Sequence, residues 1–202
     1  MREVRGTAAS RAAGEPGLLR RAGSGTVGIM DVILLSETGE PIGTCPKELV
    51  HTTDTALHQA FSCHVVNTDG QVLVTRRSLD KKTWPGVWTN SFCGHPQPGE
   101  SFEDAISRHA QRELGMKISQ LVVALPEYRY RATDASGIVE NEICPVFTAV
   151  IDGDLSPAPD EVMDFQWVDP LQLGSAITAT PWAFSPWLVT QAPDMEIYGL
   201  RG

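Results

Sequence analysis

Trp84-Pro-Gly-Val-Trp-Thr-Asn-Ser-Phe-Cys-Gly-His-Pro-Gln-Pro-Gly-Glu100, with the run beyond it that closes on Arg112-Glu-Leu-Gly115, decides how this chain folds. It reads as a loop, a strand, a second loop and a helix, the loops being its Pro- and Gly-rich parts. The helix is predicted over Ser101 to Leu114, which holds neither Gly nor Pro and sets Phe102, Ala105, Ile106, Ala110 and Leu114 near a helical period. Ser101 and Asp104 have the spacing of a capping box, and Gly115 supplies the stop.

Outward from this stretch the pattern is of short strands. Toward the N-terminus, IMDVILLS from Ile29 predicts a first strand that closes at Glu37-Thr38-Gly39. Ala60 to Val66 and Val72 to Arg76 flank Asn67-Thr68-Asp69-Gly70, whose Asp-Gly supports the positive φ of a hairpin turn. Toward the C-terminus, strands are predicted over Val122–Arg131, Val139–Ile151 and Val162–Val168. Short helices follow at Pro170–Leu173 and Pro186–Gln191, the second capped by Ser185 with Pro186 in its first turn. Strands outnumber helices without βαβ alternation, so the fold class is α+β, a mixed β-sheet flanked by helices.

The chain has 202 residues, 42% hydrophobic and 20% charged, enough for one compact domain with a real core. Its net charge is −9, unevenly placed: residues 1–28 carry five Arg against two Glu, a net +3, so residues 29–202 carry −12. Residues 1–28, rich in Arg, Ala, Gly and Ser, read as a disordered basic extension, and 29–202 as a single domain. An acidic body argues against nucleic acid and anionic membranes as partners. No apolar run approaches the roughly 18 residues of a membrane-spanning helix, and the N-terminus has no signal-peptide core. Cys45, Cys63, Cys93 and Cys144 are scattered without CxxC spacing, which suits a reducing cytoplasm better than a disulfide framework or zinc knuckle.

Gly94, Glu100, Arg108, Glu113 and Gly115 have a spacing that resembles the Nudix box, a loop-helix-loop that holds metal against a diphosphate. Where that pattern repeats its carboxylates, this chain has His109 and Arg112, leaving Glu113 alone. Diphosphate hydrolysis needs several carboxylates to hold Mg²⁺ and activate water, so the substitutions argue against a hydrolase. Two features beside the box point elsewhere: Cys93-Gly-His95 precedes it, and Glu140-Asn-Glu142 lies on a later strand with both carboxylates on one face.

With HTTDTALH (51–58), TRRSLDKKTWPGVWTNSFCGHP (75–96), YRYRA (128–132), GIVENEICPVF (137–147) and TPWAFSPW (180–187), the chain closely resembles the type I isopentenyl diphosphate isomerase family, from about Asp31 to Ala192. The resemblance implies a Nudix-like fold and the interconversion of isopentenyl and dimethylallyl diphosphate. That reaction adds a proton on one face of an alkene and removes one from the other. Cys93 and Glu142 match the two proton-transfer groups. His51, His58, His95, Glu140 and Glu142 match a divalent-metal site whose nitrogen and oxygen donors suit Zn²⁺ or Mn²⁺. Glu113 matches a ligand of Mg²⁺ bound with the diphosphate. Lys47, Arg77 and Lys81 match diphosphate-contacting cations.

Trp187 and Tyr130 complete the set that the resemblance implies. An indole face can stabilise a tertiary carbocation, which accepts no hydrogen bond, by about 2 kcal/mol when desolvated. Tyr130 is expected to hydrogen-bond Glu142 and assist proton delivery. Trp84, Trp88, Trp167 and Trp182 are expected in the core or the pocket wall. His109 departs from the pattern, standing where a phosphate-binding Arg is expected, with Arg108 or a protonated His109 as the compensating group. The partner implied is the small diphosphate substrate, met by a monomeric cytoplasmic enzyme.

Overall fold

The computed structural model describes residues 30–200; the basic extension expected over 1–28 lies outside them. Twelve strands and four α-helices follow one another in mixed order among the described residues, so the α+β expectation holds. The strands make two sheets. One has the order β2 (Pro41–Pro46), β1 (Asp31–Leu35), β3 (His58–Gln59), β10 (Val139–Ile143), β9 (Arg129–Thr133). The other has the order β12 (Val162–Val168), β5 (Val72–Arg77), β4 (Phe61–Val66), β11 (Val146–Asp152), β8 (Lys117–Leu125). Two short strands lie beside this path: β6 (Trp88–Thr89) on β5 and β7 (Phe92–Gly94) on β4.

Two strands predicted as continuous are divided between the sheets. Val122–Arg131 separates into β8 and β9 at Pro126-Glu127-Tyr128, and Val139–Ile151 into β10 and β11 at Cys144-Pro145. Pro145 has no N–H to give to a ladder, so the pairing bends there. The partner run bends with it at Ala60. Glu142 pairs with His58 and Val146 with Ser62, both in parallel, and Ala60 N–H donates to Ile143 O at 3.0 Å between them. The corner where the runs change sheets is where the histidines and carboxylates collect.

Helix α2 (Phe102–Leu114) starts and stops where the sequence marks it. Ser101 Oγ accepts from Asp104 N–H at 3.1 Å, while the Asp104 carboxylate takes the Ser101 hydroxyl at 2.8 Å rather than the backbone N–H of a full capping box. Its buried stripe of Ala105, Ile106, Ala110 and Leu114 packs on Phe61, Cys63, Val65, Leu73 and Phe147. Full burial of each large member is worth about 1.5–3 kcal/mol. The alternate residues of β4, Ser62 and His64, face the opposite side, where α3 (Pro170–Ala179) and α4 (Pro186–Gln191) close over Val72, Val74, Val146 and Tyr198.

Helix α3 runs six residues beyond the predicted Leu173 and carries Gly174 inside it. A Cβ there would lie 2.6 Å from Tyr198 O, so glycine serves a close approach to the C-terminal segment instead of ending the helix. A further correction concerns Trp182, which is 83% exposed and belongs to neither core nor pocket. Among the described residues no helix is long and apolar enough to cross a membrane.

Candidate functional site

A cavity of about 750 Å³ opens at the sheet corner, and every site residue expected from the sequence lines it except His58. His51 follows the short helix α1 (Lys47–Val50), His58 opens β3, and His95 follows β7. These three elements meet only in the tertiary structure. The rings stand 5.1, 5.8 and 5.2 Å apart by centroid, and one donor atom each from His51, His58, His95 and Glu142 lies within 4.8 Å of the others. Glu142 Oε1 is 3.2 Å from His95 Nε2 and 3.4 Å from His58 Nε2, and Glu140 Oε2 is 2.8 Å from His51 Nε2. His58 is fully buried, so it backs the cluster where the other candidate ligands line the opening.

The cluster has the chemistry of a cation site. His51 Nε2, His58 Nε2 and Glu140 Oε2 are buried without a hydrogen-bond partner, a costly state for polar atoms. His58 Nδ1 lies 2.9 Å from Ala56 O, which places the proton there and leaves the Nε2 lone pair aimed at the carboxylates. Lone pairs facing carboxylate oxygens are satisfied by a divalent ion, and this donor set could hold one. Burial would push Glu142 up, but the imidazoles of His58 and His95 against it hold its carboxyl well below the usual range. Burial takes His95 down to about 3.

Cys93 sits on β7 opposite Ser62 of β4, its Sγ 3.5 Å from Ser62 Oγ and 3.4 Å from Asn90 Nδ2. Desolvation pushes the thiol up to about 12, so at neutral pH it keeps its proton. Asn90, not foreseen, is the hub of this wall. It is fully buried, its Nδ2 reaches Ser62 Oγ (2.9 Å) and Phe92 O (2.8 Å), and its Oδ1 accepts from Trp187 Nε1 at 2.9 Å. One amide thus orients both the thiol and the indole. A single Asn carries no periodic signal, and only its place three residues before Cys93 could have drawn notice.

Trp187 is buried, with Tyr130 tilted at 5.8 Å and Trp84 edge-on at 5.4 Å between centroids. Tyr130 pairs in register with Glu142 across β9 and β10, but among the described residues the expected hydrogen bond between their side chains is not made. Burial raises the Tyr130 hydroxyl well above its ordinary value.

The phosphate-side residues are less uniform than the resemblance implies. Lys47 lines the cavity and is lowered chiefly by desolvation. Arg77 braces the loop instead of standing free. Its Nε and Nη2 donate to Thr83 O at 3.1 and 2.9 Å, and Nε also reaches Trp84 O at 3.2 Å, where the backbone has φ +43°. That left-handed conformation is uncommon for a bulky residue. Its guanidinium carbon also lies 5.3 Å from the Trp187 ring centroid. Thr83 carries the brace onward, its hydroxyl donating to Glu140 Oε1 at 2.7 Å. Lys81 is ion-paired to Glu161, and burial takes it down to about 8.

Glu113 is buried with its Oε1 2.6 Å from His109 Nδ1, one helical turn back. Burial pushes its carboxyl up, yet that hydrogen bond, His109 and the nearby Lys81 and Lys47 bring it down to about 2. His109 fits beneath Gly94, where an added Cβ would stand 2.6 Å from the imidazole. The Nudix-like glycine therefore makes room for the residue that departs from the pattern. Neither compensating group expected for His109 is free: burial lowers His109 itself, and Arg108 is spent on Glu100 (2.8 and 2.7 Å) and His95 O (3.1 Å).

Comparison with known proteins gives the family and the fold. The NUDIX domain family matches residues 56–188. A Clavibacter michiganensis protein named isopentenyl-diphosphate Delta-isomerase is 60% identical over 162 residues, 80% of this chain and 84% of the relative. Proteins of the same name from Kocuria rhizophila and Citrobacter koseri are 61% and 58% identical, covering 81% of this chain and 91% and 90% of theirs. Among solved structures, a Deinococcus radiodurans protein superposes with a TM-score of 0.63 at 20% identity, over 82% of this chain and 98% of its own. A MutT protein from Methanosarcina mazei superposes with a TM-score of 0.52 at 19% identity, over 71% and 93%, and like the first supports the fold alone. The ordered motifs, the cavity they build and these relatives lead to one conclusion: the chain belongs to the isopentenyl-diphosphate Delta-isomerase family, built on a NUDIX domain.

Proposed function

We propose that the protein interconverts isopentenyl and dimethylallyl diphosphate, as one cytoplasmic domain acting as a monomer. The observation that carries this reading is the pair Cys93 and Glu142 on one cavity, the first holding its proton and the second having lost it. The π electrons of the alkene take a proton at the terminal carbon, leaving a tertiary cation. The C–H electrons released on the other side then close the new double bond, and that proton passes to the second group. Either residue serves as acid or base according to direction, and exchange with solvent resets both.

Trp187 offers its face to the cation, held in orientation by Asn90. Tyr130 assists proton delivery beside Glu142. Lys47, Arg77 and Lys81 take the diphosphate. His51, His58, His95, Glu140 and Glu142 would hold Zn²⁺ or Mn²⁺, and Glu113 would hold Mg²⁺ with the diphosphate; these ions supply fixed positive charge that orients Glu142 and neutralises substrate. Four free cysteines support a reducing compartment.

The test is incubation with isopentenyl diphosphate and divalent metal in deuterated water. Dimethylallyl diphosphate carrying solvent deuterium is expected. Absence of conversion with metal restored would overturn the reading.

A further inference from the structure

The structure leaves one position to be filled. His109 stands where a phosphate-binding arginine is expected, and it is buried against Glu113 and lowered by that burial. Arg108, its neighbour, is closed into a bidentate pair with Glu100. Arg77 gives its Nε and Nη2 to loop carbonyls. The cationic side chain that α2 does present to the cavity is Arg112, three residues beyond His109 and so on the same helix face. It is not alone there. Its Nη2 lies 3.1 Å from Glu161 Oε1, and the other oxygen of Glu161 takes Lys81 Nζ. Arg112 also acts electrostatically on both Lys47 and Lys81, lowering each, so three cations share one field.

Glu161 is nearly buried, and its carbonyl accepts from Ser78 N–H at 3.0 Å, which fixes it at the cavity wall. A carboxylate bridging an arginine and a lysine occupies the place in which a phosphate would make the same two contacts. A diphosphate brings more charge and more acceptor oxygens to those donors than one carboxylate does. We propose that Arg112 is the diphosphate-binding arginine of this protein, moved one helical turn from position 109, and that Glu161 holds Arg112 and Lys81 ready until the substrate displaces its carboxylate. The inference rests on the proposed function, since it presumes a diphosphate substrate.

Calorimetric titration of the full chain with inorganic diphosphate and Mg²⁺, alongside kcat and KM for isopentenyl diphosphate, tests it. Loss of a charged hydrogen bond predicts that Arg112→Ala weakens diphosphate binding and raises KM by about tenfold or more. The effect on kcat should be smaller, within about threefold, because the contact is made in ground and transition states alike. Arg112→Lys should recover part of the loss. Arg129→Ala removes the same charge from an exposed pair with Glu37 and should change neither constant. Glu161→Gln, which removes the competing charge, should tighten diphosphate binding.

Binding and KM for Arg112→Ala equal to those of Arg129→Ala would overturn the assignment of Arg112. Weaker binding in Glu161→Gln would overturn displacement and make Glu161 a fixed brace. A wild-type protein that neither binds diphosphate nor isomerises would instead fail the parent reading. Melting curves of all variants separate these outcomes from loss of fold.

Discussion

His58 and His64 lie six residues apart on successive strands, and both are fully buried. They face different worlds. His64 has both nitrogens engaged, Nδ1 with the Tyr198 hydroxyl at 2.6 Å and Nε2 with Gln191 Oε1 at 2.9 Å. Gln191 Oε1 also accepts from Ser62, so His64 Nε2 carries the ring proton and donates it to that oxygen, while Nδ1 accepts a hydrogen bond from the Tyr198 hydroxyl. Burial takes this imidazole down to about 4, and it is neutral. His58 has Nδ1 on a carbonyl and Nε2 without a partner, facing Glu142. Residue type and burial are equal; the unsatisfied atom separates a candidate ligand from a histidine whose ring nitrogens are both paired. The chain beyond His64 runs through Gln191, Ser62 and Asn90 to Cys93, so the structural side supports the reactive one.

The sharpest way to break the comparison acts at its reactive end. Cys93→Ala and Glu142→Gln should each lower turnover by about a thousandfold or more while far-UV dichroism and melting stay near wild type. An active Cys93→Ala enzyme would remove the thiol from the mechanism. Next, His58→Ala should lose the tightly bound metal measured by atomic emission, and full chelation of the wild type should abolish turnover until metal is restored. His64→Ala should keep its metal but lose about 3 kcal/mol in urea unfolding, because the Tyr198 hydroxyl is left unpaired, Gln191 loses one of its two hydrogen bonds and a cavity is opened. Metal loss in both variants would erase the distinction.

A pH series separates the two further. The His64 imidazole binds its proton near 4 in the folded protein and near 6.5 in the unfolded chain, so the unfolded state holds more protons between these values. Its contribution of about 3 kcal/mol is present above pH 6.5 and is lost as pH falls toward 4. Wild type should therefore lose stability over that window more steeply than His64→Ala; parallel curves would mean that His64 titrates normally. Gly94→Ala should cost about 1–3 kcal/mol by pressing on the His109 ring. Trp182→Ala, at an exposed indole, should stay within about 0.5 kcal/mol.

The sequence was legible where signals are local. Helix α2 begins at Ser101 and ends at Gly115 because a cap, an apolar period and a stop coincide within fifteen residues. The candidate ligands were legible because five stretches, at 51–58, 75–96, 128–132, 137–147 and 180–187, stand in the order of a family the chain resembles. What escaped was long-range. Pro145 and Pro126 looked tolerable within strands, yet they mark the corner at which three runs change sheet together. The helix predicted over Pro170–Leu173 continues through Gly174, whose close approach to Tyr198 is a long-range contact. The roles of Asn90, Thr83 and Glu161 depend on partners 97, 57 and 80 residues away, respectively Trp187, Glu140 and Lys81.

Residue types and spacing alone determined the fold class and the helix of the Nudix-like segment, because each is written in a short window; the proton-transfer and metal-ligand candidates came from the family resemblance of motifs spread along the chain. Only the tertiary structure decided which cations are already paired, which histidine nitrogens lack a hydrogen-bond partner and which amide joins Cys93 to Trp187. Those properties belong to pairs of atoms distant in sequence, and in a buried site the chemistry of each group is set by whether its partner has arrived.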